Sequence, residues 1–142
     1  MRLREAVARW EQSALREEAW RWPLVRAEVP FFVRVDSAFG SYVEGAIDLL
    51  AANADAGEAL VVDYKTGDVG LSVEEIEDRH RMQANFYAWV LMNQGYHAVA
   101  CAFCCVEVDD GSGEPVVVRY EFSDECRPSI GNPSATGTSS NG

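Results

Sequence analysis

The run Leu60-Val61-Val62-Asp63-Tyr64-Lys65-Thr66-Gly67 decides the fold. Three apolar residues lead into Asp63 and Lys65, two positions apart, and Thr66-Gly67 closes the run, the pattern of a buried strand that ends in a polar site. Alternation along a strand puts Asp63 and Lys65 on one face and Tyr64 on the other. An acid and a base at the end of an apolar strand are costly to bury without a partner or a use. The pair is therefore either an ion pair closing the strand or the start of a site.

Upstream of this run, residues 42–51 read as a strand carrying Glu44, Gly45, Ile47 and Asp48, and Asn53-Ala54-Asp55-Ala56-Gly57 supplies the turn into Leu60. Residues 26–36 alternate Ala27, Val29, Phe31, Val33 and Val35 with Arg26, Glu28, Pro30, Phe32 and Arg34. That predicts a strand with one apolar face, Glu28 on the other face, and an edge or bulge at Pro30. With a turn at residues 37–41, the three strands form an antiparallel meander. Residues 3–21 have a helical apolar spacing through Leu3, Val7, Trp10 and Ala14, predicting one helix that Pro23 ends.

Downstream, Ser72 with Glu75 three residues on has the form of a capping box, and Gly95 sits where a C-terminal glycine belongs, so a long helix is expected between them. Gln83 and Tyr87, four apart, share one face of it, as a polar pair toward the site or as the wet side of an amphipathic helix. Residues 98–108 predict a buried strand, Asp109-Asp110-Gly111-Ser112-Gly113 a turn, and residues 115–122 a further strand. The Pro-, Ser- and Gly-rich residues 126–142 predict a disordered tail. The organisation expected is an N-terminal helix over residues 1–23, a core over 24–125, and the tail.

Composition narrows the function. At 142 residues the chain is one domain by length, and no apolar run approaches the roughly 20 residues of a membrane span, so a cytoplasmic protein without membrane partners is expected. The net charge of −11 is unevenly spread: residues 1–34 hold seven arginines against five acids, the remainder five basic residues against eighteen acidic. So acidic a body repels a polyanion unless divalent cations or a basic partner intervene. Cys101, Cys104 and Cys105 lie within an apolar strand, where free cysteine packs as a small hydrophobe. His80 and His97 read as surface or loop residues.

Glu28, Asp48 and Asp63 thus fall one to each of three strands, with Lys65 beside the last. Hard divalent cations such as Mg²⁺ take oxygen ligands and keep several waters, so two carboxylates plus substrate phosphate oxygens suffice for a site. A lysine nearby can orient a nucleophile or neutralise developing charge. Phosphodiester hydrolysis by activated water is the reaction these parts suit.

Four segments, Glu28-Val29-Pro30-Phe31, Gly45-Ala46-Ile47-Asp48-Leu49-Leu50, Val62-Asp63-Tyr64-Lys65-Thr66-Gly67 and Gln83-Ala84-Asn85-Phe86-Tyr87, together resemble the RecB-like branch of the PD-(D/E)XK nuclease superfamily. The likeness is greatest to the C-terminal nuclease domain of bacterial helicase-nucleases of the AddA and RecB type, and covers about residues 24–122. It implies an α/β, restriction-endonuclease-like fold: a mixed, mainly antiparallel sheet flanked by the N-terminal helix and the helix carrying Gln83 and Tyr87. It implies a Mg²⁺- or Mn²⁺-dependent DNA exonuclease working beside helicase domains, or a partner helicase-nuclease subunit, in double-strand break repair. Asp48 and Asp63 would be metal ligands with the Tyr64 carbonyl, Lys65 the catalytic lysine, and Glu28 an accessory acid. Gln83, Tyr87 and Thr66 would face substrate.

Two departures stand out. The family usually has a histidine ligand on a helix upstream of these motifs, and no histidine precedes Glu28. The iron–sulfur cluster of some relatives needs a cysteine ahead of the nuclease motifs, and none precedes Asp63, so no cluster is expected. A catalytically inactive DNA-binding or scaffolding module and a free-standing phage or mobile-element nuclease are the other readings.

Overall fold

The structure is a computed structural model that describes residues 2–34 and 42–129. The expected turn at residues 37–41, the end of the first strand at Val35 and Asp36, and most of the expected tail lie outside the described residues.

In chain order the elements are α1 (Arg2–Glu11), α2 (Ala14–Trp20), β1 (Leu24–Arg34), β2 (Tyr42–Asn53), β3 (Glu58–Lys65), α3 (Val73–Met92), β4 (Ala98–Asp109) and β5 (Pro115–Ser123). The strands form one sheet in the order β1-β2-β3-β4-β5. β1, β2 and β3 are the antiparallel meander; β3 and β4 run parallel, joined through α3; β5 returns antiparallel to β4. A parallel pair needs a crossover connection, and α3 supplies it. The architecture is the α/β, mixed and mostly antiparallel arrangement of the restriction-endonuclease-like fold.

Each face of the sheet has its own core. Val61, Cys101, Phe103, Cys105 and Val118 pack against Ile76, Ala84, Tyr87, Ala88 and Leu91 of α3. Leu60, Val62, Ala102, Cys104 and Val106 pack against Ala6 of α1 and Leu15 and Ala19 of α2. β3 and β4 are covered on both sides, which is why their sequences read as near-continuous apolar runs. The cysteines divide between the faces, Cys101 and Cys105 toward α3 and Cys104 toward α1 and α2, and burial pushes all three thiols up to about 12. They pack as small apolar residues, as their setting in the sequence indicated.

α3 is bounded as its sequence specifies. Ser72 Oγ accepts from the Glu75 N–H at 3.1 Å while Glu75 Oε1 accepts from the Ser72 N–H at 2.8 Å, closing the capping box. At the other end Gly95 takes φ +110°, and the Tyr96 N–H reaches back to the Leu91 carbonyl.

Two expectations need correction. The single helix over residues 3–21 is two helices, because Ser13 breaks it: Ser13 Oγ accepts from the Arg16 N–H at 3.1 Å as the cap of α2 and donates to the Trp10 carbonyl at 2.8 Å. A serine that caps a new turn competes with continuation of the old one. The second concerns β1, whose alternation is not continuous. Val25 packs with the α1 and α2 side, whereas Val29 and Phe31 pack with the α3 side. Glu28 lies at the change with a left-handed φ of 53°, the one non-glycine of positive φ among the described residues. That rotation re-aims everything after it. On β2 the same reset separates Leu49 from Ile47, either side of Asp48.

Candidate active site

Three acidic residues are aligned across adjacent strands by register. Ala27 pairs with Leu49 and Val29 with Ile47, which sets Glu28 opposite Asp48; Leu49 pairs with Val62, and one step further Asp48 comes level with Asp63. The strands part at this step. The Tyr64 N–H donates to Asp48 Oδ2 at 2.9 Å, so a side chain of β2 replaces the missing backbone partner.

Around Asp63 the side chains form a closed ring. Tyr87 Oη donates to Asp63 Oδ2 at 2.7 Å, Gln83 Nε2 donates to Tyr87 Oη at 2.9 Å, and Lys65 Nζ donates to Gln83 Oε1 at 2.8 Å. Lys65 Nζ returns to Asp63 Oδ1 at 3.5 Å. The two strand residues share a face by the period of two, and the two helix residues share one by the spacing of four. Tyr87 is buried and Gln83 half-buried, so this is not the wet side of α3.

The electrostatics follow from crowding. Burial raises the Asp48 carboxyl above its ordinary value and the Asp63 carboxylate adds to the rise, against the Tyr64 N–H and Lys65, which lower it. Burial, then the hydrogen bond and charge of Asp63, also raise the Tyr87 phenol, which keeps its proton and remains a donor.

Among the described residues no group of three or more His, Cys, Asp or Glu side chains is placed to hold a metal ion. Two carboxylates pressed together, one of them with its ionisation opposed, nevertheless suit a small hard cation that retains waters and takes further oxygens from a phosphate. Asp48 and Asp63 are the residues that would hold it.

Other residues fall elsewhere. Glu28 is exposed, and no contact ties its side chain to the ring among the described residues. The Tyr64 side chain is on the opposite face against Trp10, with ring centroids 4.9 Å apart, and burial pushes its phenol up to about 12. Thr66 lines a pocket of about 480 Å³ on that same side, with Ala6, Val7, Trp10, Tyr64, Val106 and Glu107, rather than the α3 side where the ring lies. His97 is exposed and meets Asp124 at 2.9 Å. His80 corrects the surface assignment: it is 7% exposed, bonded to Asp68 Oδ2 at 3.0 Å and stacked on Phe103. Asp68, 1% exposed, was not singled out by the sequence. Its one signal is its place directly after Lys65-Thr66-Gly67.

A mixed sheet bearing two carboxylates and a lysine on neighbouring strands, at the point where β2 and β3 part, defines a class of site suited to metal-assisted phosphoryl chemistry. The chain belongs to the PD-(D/E)XK nuclease superfamily, whose family model matches residues 1–128. The match takes in α1 and α2 as well as the sheet. No curated protein matches the sequence. Among matching solved structures is one described as "Crystal structure of SSO0001", at 14% identity and a TM-score of 0.48, covering 95% of this chain and 55% of the other. The chain thus spans about half the length of that protein. Nothing about function follows from a likeness of that size.

Proposed function

We propose that this domain hydrolyses DNA phosphodiester bonds from an end, with Mg²⁺ or Mn²⁺, as the nuclease part of an ATP-dependent helicase-nuclease that processes double-strand breaks. The observation that carries the hydrolytic reading is the closed ring of Asp63, Lys65, Gln83 and Tyr87 beside Asp48. The bound cation would supply Lewis-acid stabilisation of charge on the phosphate oxygens and a more acidic water. Asp48 and Asp63 would hold it. Tyr87 fixes the Asp63 carboxylate through Oδ2, so its orientation is set before substrate arrives.

Lys65 has three ammonium hydrogens and two visible acceptors, Gln83 Oε1 and Asp63 Oδ1. The third donor can reach the attacking water or a non-bridging phosphate oxygen, orienting one or neutralising the other. Water is the nucleophile, and no covalent enzyme intermediate forms. A partner is supported by charge: the acidic body after residue 34 opposes DNA, so a helicase that already grips the strand would deliver it.

The test is cleavage of linear and circular, single- and double-stranded DNA with Mg²⁺ or Mn²⁺, alongside Lys65→Ala and Asp63→Ala. Loss in both variants, with circular DNA spared, is the expected outcome. That no histidine precedes Glu28 in these 142 residues permits a second reading, a catalytically inactive DNA-binding or scaffolding module. Failure of the folded protein to bind Mg²⁺ or Mn²⁺ would favour that reading instead. Vigorous cleavage with no helicase subunit present would favour a free-standing nuclease.

A further inference from the structure

We propose that Asp68 and His80 are positioning residues for the Lys65–Gln83 contact, an inference that rests on the nuclease reading above. Asp68 follows Lys65 by three residues, and His80 precedes Gln83 by three, close to one turn of α3. The strand end and the helix are therefore tied twice in parallel. One tie is Lys65 Nζ to Gln83 Oε1 at 2.8 Å, and the other is Asp68 Oδ2 to His80 Nε2 at 3.0 Å. Asp68 Oδ1 also accepts from Arg79 Nη1 at 3.1 Å.

Phe103 connects the two ties. The His80 ring stacks on it at a centroid distance of 5.2 Å and 5° between planes, and Lys65 Nζ lies 5.6 Å from the same ring's centroid. A buried polar contact is weak evidence for stability, since apolar packing of the same volume often serves as well. Its value here is registry. The loop between Lys65 and α3 contains Gly67 and Gly70, both at positive φ, and an acid anchored between them limits where that loop can lie. The lysine side chain inherits that limit, and a misplacement of about 1 Å at a reacting group can cost about a hundredfold in rate.

The experiment compares kcat and KM on linear DNA, unfolding midpoints and the nuclear Overhauser contact between Lys65 and the Gln83 side-chain amide. The variants are His80→Gln, which keeps a donor toward Asp68, His80→Leu, which keeps neither donor nor ring, and Lys65→Ala. His80→Leu is expected to lower kcat about ten- to a hundredfold with KM within about twofold, and to lose the Lys65–Gln83 contact. His80→Gln is expected to restore most of both. An unchanged kcat and an intact contact in folded His80→Leu, with Lys65→Ala inactive, overturn the positioning role and leave the nuclease standing. If His80→Leu does not fold, Asp68→Asn is read the same way. If the unmutated protein neither binds Mn²⁺ nor cleaves any substrate, the nuclease reading falls, and the contact measured by resonance still decides the positioning.

Discussion

Tyr87 and Asp63 join α3 to the end of β3 through a hydrogen bond of 2.7 Å between groups that are 4% and 5% exposed. Burying a carboxylate is costly unless donors meet it, and among the described residues this phenol and the Lys65 ammonium, 3.5 Å from Oδ1, both do. Tyr87→Phe removes the donor and leaves Oδ2 unsatisfied. The expected cost is about 1–3 kcal/mol in stability, read by urea unfolding, with a fall of about ten- to a hundredfold in kcat. Full stability and full rate in Tyr87→Phe would show that Asp63 is oriented by other means.

Asp48 sets a pH dependence. Burial and the neighbouring Asp63 raise its carboxyl above the ordinary value in the folded state. Between the ordinary value and the raised one the folded protein binds more protons than the unfolded chain, so stability falls as pH rises through that window. The stabilising contribution is complete below it and lost above. Asp48→Asn should therefore raise the unfolding midpoint of the metal-free protein at neutral pH. The same variant should abolish the rise that Mn²⁺ gives the unmutated protein, about 2.7 kcal/mol at a hundredfold excess over Kd. Protons compete with the cation for this carboxylate, so Mn²⁺ affinity should weaken as pH drops through the window.

What could be read in the sequence was local. Asp63 and Lys65 share a face because a strand has a period of two, Gln83 and Tyr87 because a helix has one near 3.6, and Ser72 with Glu75 carries its own hydrogen-bond pattern. Motif order then placed Asp48 beside Asp63. What could not be read depended on partners distant in sequence or on unusual backbone. His80 becomes a core residue only because Asp68 and Phe103 come to meet it. The face of Val29 depends on one φ angle at Glu28, a residue type that gives no warning of left-handed backbone.

Glu28 offers a way to separate strain from chemistry. A left-handed φ costs a non-glycine residue roughly 1–2 kcal/mol, and such strain is commonly kept where function needs it. Glu28→Gly relieves the strain and is expected to stabilise by up to about 1 kcal/mol; Glu28→Ala keeps it. If Glu28 serves as an accessory acid, the two variants differ in stability yet lose cleavage equally. Wild-type rates in both would remove Glu28 from the site and leave it a purely structural bend.

Gly45, three residues before Asp48, is kept small by Phe31. A Cβ there would lie 2.9 Å from Phe31 Cζ, closer than carbon atoms tolerate, and in tight contact with Cε2 at 3.3 Å. The Phe31 ring covers the glycine, meets Tyr87 edge-on at 6.3 Å and lies 5.7 Å from Phe86. Gly45→Ala must therefore push the ring toward the helix that carries Gln83 and Tyr87 or lift it away. Overpacking of this kind costs about 1–3 kcal/mol, and a displaced Tyr87 should carry the damage to Asp63, lowering kcat along with the unfolding midpoint. The steric origin can be isolated by adding Phe31→Leu, whose shorter side chain leaves room for the new methyl group. The double variant should be more stable than the two single changes sum to, with a coupling of about 1 kcal/mol or more. Additive losses would mean that the Phe31 ring is not what excludes a side chain at Gly45, and that Phe31 does not hold Tyr87 in place.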